Sequence, residues 1–172
     1  MIYVCPLSAV DDVIDTSGPS HMISLLDPES MIETPMGISR DNHLQVSVND
    51  IAHHDETLVP PGRAHVETIL SFIDSWTPDD PILIHCWAGI SRSTATALIT
   101  LCKFNAEASE FALAQMLRDA APHAHPNRLL IKHADDLMGR GGRLVQAVED
   151  MGPGEMSWEG QTFSVPIYPD LA

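Results

Sequence analysis

Basic residues are scarce: 9 Lys and Arg stand against 24 Asp and Glu in 172 residues, a formal charge of −15. Such a surface repels polyanions, which argues against nucleic acid and against an anionic membrane as partners. Cysteine is sparse too. Cys5, Cys86 and Cys102 are an odd set, without the paired spacing of a disulfide framework or a zinc knuckle, so free thiols are expected. Long apolar runs are missing. The stretch Thr94–Cys102, among the most apolar, is far short of the ~18–20 residues that cross a bilayer. The opening Met1-Ile2-Tyr3-Val4-Cys5-Pro6 lacks the basic start, apolar run and small-residue cleavage site of an export signal, so a cytoplasmic location is expected. No internal repeat or low-complexity run is visible.

At 18.8 kDa and 44% apolar residues, the chain has material for one ordinary core and is too short for two full domains. Four short β-branched or apolar runs read as strands: Ile2–Leu7, Met22–Leu26, Leu44–Val48 and Pro81–Cys86. The continuous run Ile82-Leu83-Ile84 suits a sheet buried on both faces. His65, Ile69, Phe72, Ile73 and Trp76 share a helical stripe behind Pro60-Pro61, with Pro61 suited to a first helical turn. Further helical segments follow at Ser91–Phe104, Ala106–Ala120, Asn127–Met138 and Leu144–Met151. Strands first and a helix cluster last predict an α/β fold, with a mostly parallel sheet of four to five strands flanked by helices. Residues 1–151 make up the expected domain, and the Gly-, Pro- and Glu-rich residues 152–172 a C-terminal extension. The region Asp27–Asn42 shows no clear period.

The buried strand runs into His85-Cys86-Trp87-Ala88-Gly89-Ile90-Ser91-Arg92-Ser93, after which a helix begins at once. A cysteine therefore sits in a strand-to-helix turn. The first turn of a helix leaves about four backbone N–H groups unpaired and carries partial positive charge, so a loop curled around it is an anion cradle. Arg92, six residues past the cysteine, brings a planar fork that grips two oxygens of a tetrahedral dianion. The same field favours thiolate. A free cysteine titrates near 8.5, and helix N-termini with adjacent cations bring such groups to about 3.5–7.5. Cys86 is thus expected to be a nucleophile aimed at phosphorus.

The segment 85–93 resembles the HC-x5-R-[ST] signature of cysteine-dependent protein tyrosine phosphatases, in the HCxAGxSRS form of the small dual-specificity branch. A bare cysteine with arginine six positions on arises in roughly one chain in ten of this composition. Adding the preceding His, the Gly and the following Ser or Thr lowers that to on the order of one in ten thousand, which sets the match apart from chance. Asn49-Asp50 lies where that branch carries its general acid, and Pro126-Asn127 resembles its Pro-Asn, whose amide braces the phosphate loop. The resemblance covers about residues 43–135. It implies a protein tyrosine or dual-specificity phosphatase that forms a phosphocysteine on Cys86. Arg92 and the amides of Trp87, Ala88, Gly89, Ile90, Ser91 and Arg92 would hold the phosphoryl oxygens, and Ser93 would assist the sulfur as leaving group. No metal or cofactor is required.

The remaining candidates carry alternatives. His85 either braces the loop through a structural hydrogen bond or transfers a proton, and the first is favoured because neighbouring strand residues face opposite ways. Asn127 either braces the loop or caps the next helix. Asp50 is preferred as general acid and Asp55 is the alternative, because Asp50 directly follows the strand Leu44–Val48 and Asn49. Asp79 and Asp80 read as a turn. His53-His54, His123 and His125 read as surface histidines rather than metal ligands, and Cys102 as a core filler. Trp87 either packs at the mouth of the loop or is buried beside the sheet. No extra Lys or Arg stands between Cys86 and Arg92, so the expected substrate is a singly phosphorylated side chain of a protein or peptide rather than a polyphosphorylated ring. A rhodanese-like sulfurtransferase and a non-catalytic phosphotyrosine-binding adaptor are the rival readings.

Overall fold

Four parallel strands form where the β-branched and apolar runs fall. The computed structural model describes residues 1–53 and 56–170. It places β1 at Ile2–Pro6, β2 at His21–Leu26, β3 at His43–Ser47 and β4 at Ile82–Cys86. A three-residue strand, β5 at Phe163–Val165, joins antiparallel to β1, and the sheet order is β3-β2-β4-β1-β5. All five residues of β4 are buried, as a central parallel strand covered on both faces requires.

Side-chain alternation divides the core in two. Ile2, Val4, Ile23, Leu25, Ile82, Ile84 and Cys86 face the larger core. That core is completed by α2 at Arg63–Ser75, α3 at Arg92–Phe104, α4 at Glu110–Ala120, α5 at Arg128–Leu137 and α6 at Arg143–Met151. Cys5, Met22 and Leu83 point the other way and meet Val10, Val13 and Ile14 of α1, Val10–Ser17. Cys5 and Cys86 therefore lie on opposite sides of the sheet.

Several boundaries differ from the sequence expectation. Helix α2 starts after Gly62, whose N–H donates to Nδ1 of His65 at 3.0 Å, so Pro61 precedes the helix. Its buried stripe is Val66, Ile69 and Ile73, with Trp76 closing the end. Helix α4 starts at Glu110 rather than Ala106, because the Ser109 hydroxyl accepts from Ala112 N and sets the first turn there. Helix α1 has no counterpart in the sequence expectation, although Val10, Val13 and Ile14 followed by the left-handed Gly18 (φ 55°) make a short amphipathic turn with a glycine stop. Residues beyond 151, expected as an extension outside the domain, contribute to it: Phe163, Val165 and Ile167 complete the core, and β5 covers the edge of β1. Among the described residues no helix is long and apolar enough to cross a membrane.

Candidate active site

The carboxyl ends of parallel strands are where an open α/β sheet presents its crevice. Here the residues leaving β2, β3 and β4 converge: Asp27 follows β2, Asn49 and Asp50 follow β3 by two and three residues, and Cys86 ends β4. Arg92 opens α3 on the far side of the loop. Asp27, Ser30, Asp50, Trp87, Ala88 and Arg92 line a cavity of about 340 Å³.

Outside contacts shape the loop 87–91. Trp87 O accepts from Leu7 N at 3.0 Å, Ala88 O from Gly160 N at 2.8 Å, Ile90 O from His125 N at 2.8 Å and Ser91 O from Asn127 N at 3.2 Å. The N–H groups of residues 88–91 find no backbone acceptor among the described residues. With its carbonyls tied outward, such a loop keeps amide donors for an anion. Gly89 has φ +70°, and a Cβ there would lie 2.7 Å from Pro6 N and 2.9 Å from the Cys5 carbonyl carbon. Backbone cannot swing aside, so glycine is the residue that fits.

Helix α3 begins without a side-chain cap. The Ser91 hydroxyl at the N-cap donates instead to Asp50 Oδ1 at 2.6 Å, which leaves the helix N-terminus open toward the cup. Cys86 Sγ and Ser93 Oγ are 3.1 Å apart and buried. Ser93 thus faces the sulfur.

Arg92 is only 2% exposed. Its Nη1 donates to Val48 O at 2.6 Å and to Asp27 Oδ1 at 3.0 Å. Its Nε has no hydrogen-bond partner among the described residues and stands 4.0 Å from Asp50 Oδ2. Burying an unpaired donor costs about 1–3 kcal/mol, more when it is charged, so this N–H favours an anionic oxygen within its reach. One oxygen of Asp50 is already occupied, since Oδ1 takes both Ser91 Oγ and Asn127 Nδ2, the latter at 3.0 Å. Oδ2 is therefore the oxygen of Asp50 that remains near Arg92 and the cup.

Asn127 does more than one thing. Its Oδ1 accepts from Leu129 N and Leu130 N and caps α5, while Nδ2 donates to Asp50 and to Ile51 O. The side-chain amide holds the acid; it is the Asn127 backbone N–H that touches the loop. His85 lies on the sheet face away from the cup, bonded through Nε2 to Ser24 Oγ at 2.6 Å, and Ser24 Oγ also meets His43 Nε2 at 2.7 Å. Burial pushes His85 down to about 4, so it is neutral at pH 7. Cys5 and Cys102 are pushed up to about 12, chiefly by burial; both are inert thiols inside the core.

Trp87 is 56% exposed at the cavity mouth, which rules out the burial reading. His123, expected at the surface, is instead buried against Phe163, ring centroids 5.9 Å apart. Its neighbour His125 is exposed. Asp55 and His54 lie outside the described residues. Among the described residues no group of three or more His, Cys, Asp or Glu is placed to hold a metal. Asp27 is the site residue that sequence reasoning missed. The signal in the sequence was an acid directly after the expected strand Met22–Leu26, and its nearness to Arg92 comes from the pairing of β2 with β4.

No family model matches the sequence, and no curated protein matches it. Solved structures share the fold. DUSP15 superposes with a TM-score of 0.63 at 18% identity, over 87% of this chain and 89% of that one. A human tyrosine phosphatase-like serine/threonine/tyrosine-interacting protein gives 0.60 at 19% identity, over 81% and 92%. Human DUSP28 gives 0.60 at 19%, over 81% and 88%. The chain has the α/β fold of the dual-specificity and protein tyrosine phosphatases.

Proposed function

We propose that the chain is a protein tyrosine phosphatase, with dual specificity within its range, that hydrolyses phosphomonoesters on protein or peptide side chains through a phosphocysteine. The observation that carries this reading is the buried Arg92, its Nε without a hydrogen-bond partner among the described residues. With Asp50 it lines the cup, and it belongs to the segment that joins Cys86 to Ser93, whose side chains stand 3.1 Å apart. A phosphoryl oxygen accepts from the Arg92 Nε–H. Cys86 Sγ attacks phosphorus in line and the P–O bond to the side chain breaks. Asp50 gives its proton to the departing oxygen through Oδ2, the oxygen not occupied by Ser91 and Asn127. Arg92 and the amides of residues 87–92 hold the three remaining oxygens. Water then attacks phosphorus, Asp50 takes its proton, and the electrons of the S–P bond return to sulfur, which Ser93 Oγ at 3.1 Å stabilises as it leaves.

The test is turnover of p-nitrophenyl phosphate and of phosphotyrosine and phosphoserine peptides. Cys86→Ser should abolish turnover and keep phosphopeptide binding. Arg92→Lys should fail in both, because a point charge does not reproduce the fork. Full-strength turnover by Cys86→Ser would refute the covalent route. Binding by the unaltered chain without any release of phenol would make it an adaptor, the reading that likeness to a phosphatase-like interacting protein brings forward.

A further inference from the structure

Three cavities run in a row beside the phosphate loop. The cup shares Asp50 with a neighbouring cavity of about 450 Å³, which in turn shares Ser91 and His125 with a third of about 510 Å³. The third is walled by Ile90 on the loop side and by Met156 and Trp158 on the side of the tail, and its lining is mainly apolar. The tail is held there by backbone contacts: Gly160 N donates to Ala88 O and Glu155 N to Pro122 O, each at 2.8 Å. Arg118 Nη2 adds a bond to Gly152 O, also 2.8 Å.

We propose that this apolar pocket is a substrate subsite, taking one large apolar side chain that flanks the phosphorylated residue of a polypeptide. The proposal rests on the phosphatase reading and adds a specificity determinant to it. Met156 and Trp158 are both fully exposed, and adjacent large apolar side chains left in water mark an interaction surface. The pocket is separated from the cup by the middle cavity, so a ligand with phosphate at one end reaches it only with more atoms than a small phosphomonoester has. An extended peptide advances about 3.3 Å per residue and alternates its side chains into such a row. Charge narrows the occupant further: the middle cavity carries both Asp50 and Arg128, whereas the apolar pocket itself is lined by Glu155 and by no Lys or Arg, so there an acidic flanking residue is disfavoured and an apolar one accepted.

The experiment takes the full chain and a phosphotyrosine peptide series in which one leucine is walked through the positions on either side of the phosphotyrosine, in an alanine background. It is read as KM for phosphate release and as Kd with Cys86→Ser. At one position leucine should lower both by about tenfold, the worth of burying one such side chain. The double change Met156→Asp, Trp158→Asp should erase that preference. Turnover of p-nitrophenyl phosphate reports on the phosphatase reading separately. Turnover with a flat leucine series overturns the subsite alone. A leucine preference in Kd without turnover overturns the phosphatase reading and upholds the pocket. A flat series with a dimer that Met156→Asp dissociates assigns the face to a second copy and also overturns the subsite.

Discussion

Two carboxylates meet the Arg92 guanidinium at different atoms, and that difference separates their roles. Asp27 Oδ1 accepts from Nη1 at 3.0 Å and from Asn49 Nδ2 at 3.1 Å. It therefore sets the plane of the fork, with Val48 O as the second stop. Asp50 Oδ2 is 4.0 Å from Nε and is the oxygen that the proposed mechanism assigns to the leaving group. Asp50→Asn should lower kcat by about 10²–10³-fold for alkyl phosphates and much less for p-nitrophenyl phosphate, whose leaving group needs no proton. Equal losses for both would remove Asp50 from proton transfer. Asp27→Ala should instead raise KM, with kcat/KM falling about tenfold, because Nη1 and Asn49 each lose an acceptor. Tighter vanadate binding by Asp27→Ala would show that the carboxylate competes with the phosphoryl group rather than positioning its partner. Of these residues Cys86 and Arg92 were marked by their spacing around the strand-to-helix turn, while for Asp50 the sequence offered a preference over Asp55 from its place just after β3. Asp27 was not, because nothing local marks the end of β2 as adjacent to Arg92, 65 positions away; only the parallel pairing of β2 with β4 brings them together.

At the scale of elements, two helix N-termini contrast. Helix α3 leaves its N-terminus open because its N-cap serine is turned to Asp50, and the open end faces the cup. Helix α6 is closed by a distant residue: Asp135 of α5 accepts from Gly142 N at 2.6 Å through Oδ1, and from Leu144 N at 2.8 Å through Oδ2. Asp135→Ala removes a buried acceptor from these donors and should cost about 1–3 kcal/mol, lowering Tm by roughly 2–4 °C for each kcal/mol at this chain length. An unchanged Tm would contradict the capping role. The parallel strands were legible to within a residue or two, since short β-branched runs bounded by turns have few alternatives. The short elements were not. Helix α1 has three aspartates in eight residues, which dilute its short apolar pattern, and β5 has three residues and is held by its pairing with β1. Asn127 illustrates an intermediate case: capping was legible from its type and bracing of the loop came from the resemblance alone, while the actual division of its side chain, Oδ1 to α5 and Nδ2 to Asp50 and Ile51, depends on the packed fold.

For the whole molecule, the buried centre of the sheet encloses His85, where burial disfavours the uptake of a proton. An unfolded histidine titrates near 6.5, whereas burial holds His85 at about 4 and moves His43 and His123 in the same direction. Between the two His85 values the unfolded chain binds a proton that the folded chain refuses. Stability from this source is complete above about pH 6.5 and is lost as pH falls toward 4, by about 3 kcal/mol for His85. His85→Gln should flatten that limb of a plot of Tm against pH; a limb of unchanged slope would contradict the assignment. The relief of repulsion as the net charge shrinks acts in the opposite sense and is common to both proteins, so the difference between them isolates the histidine. The whole arrangement, from carboxyl ends converging on one crevice to a guanidinium buried without a full set of partners, is directed at one sulfur. The decisive measurement is a rapid-quench reaction of the full chain with labelled aryl phosphate, following phenol release and label bound to protein together. A burst of phenol close to one equivalent, with acid-trapped label on the peptide containing Cys86 and neither signal in Cys86→Ser, is the predicted result. Linear phenol release with no label on Cys86 would contradict it.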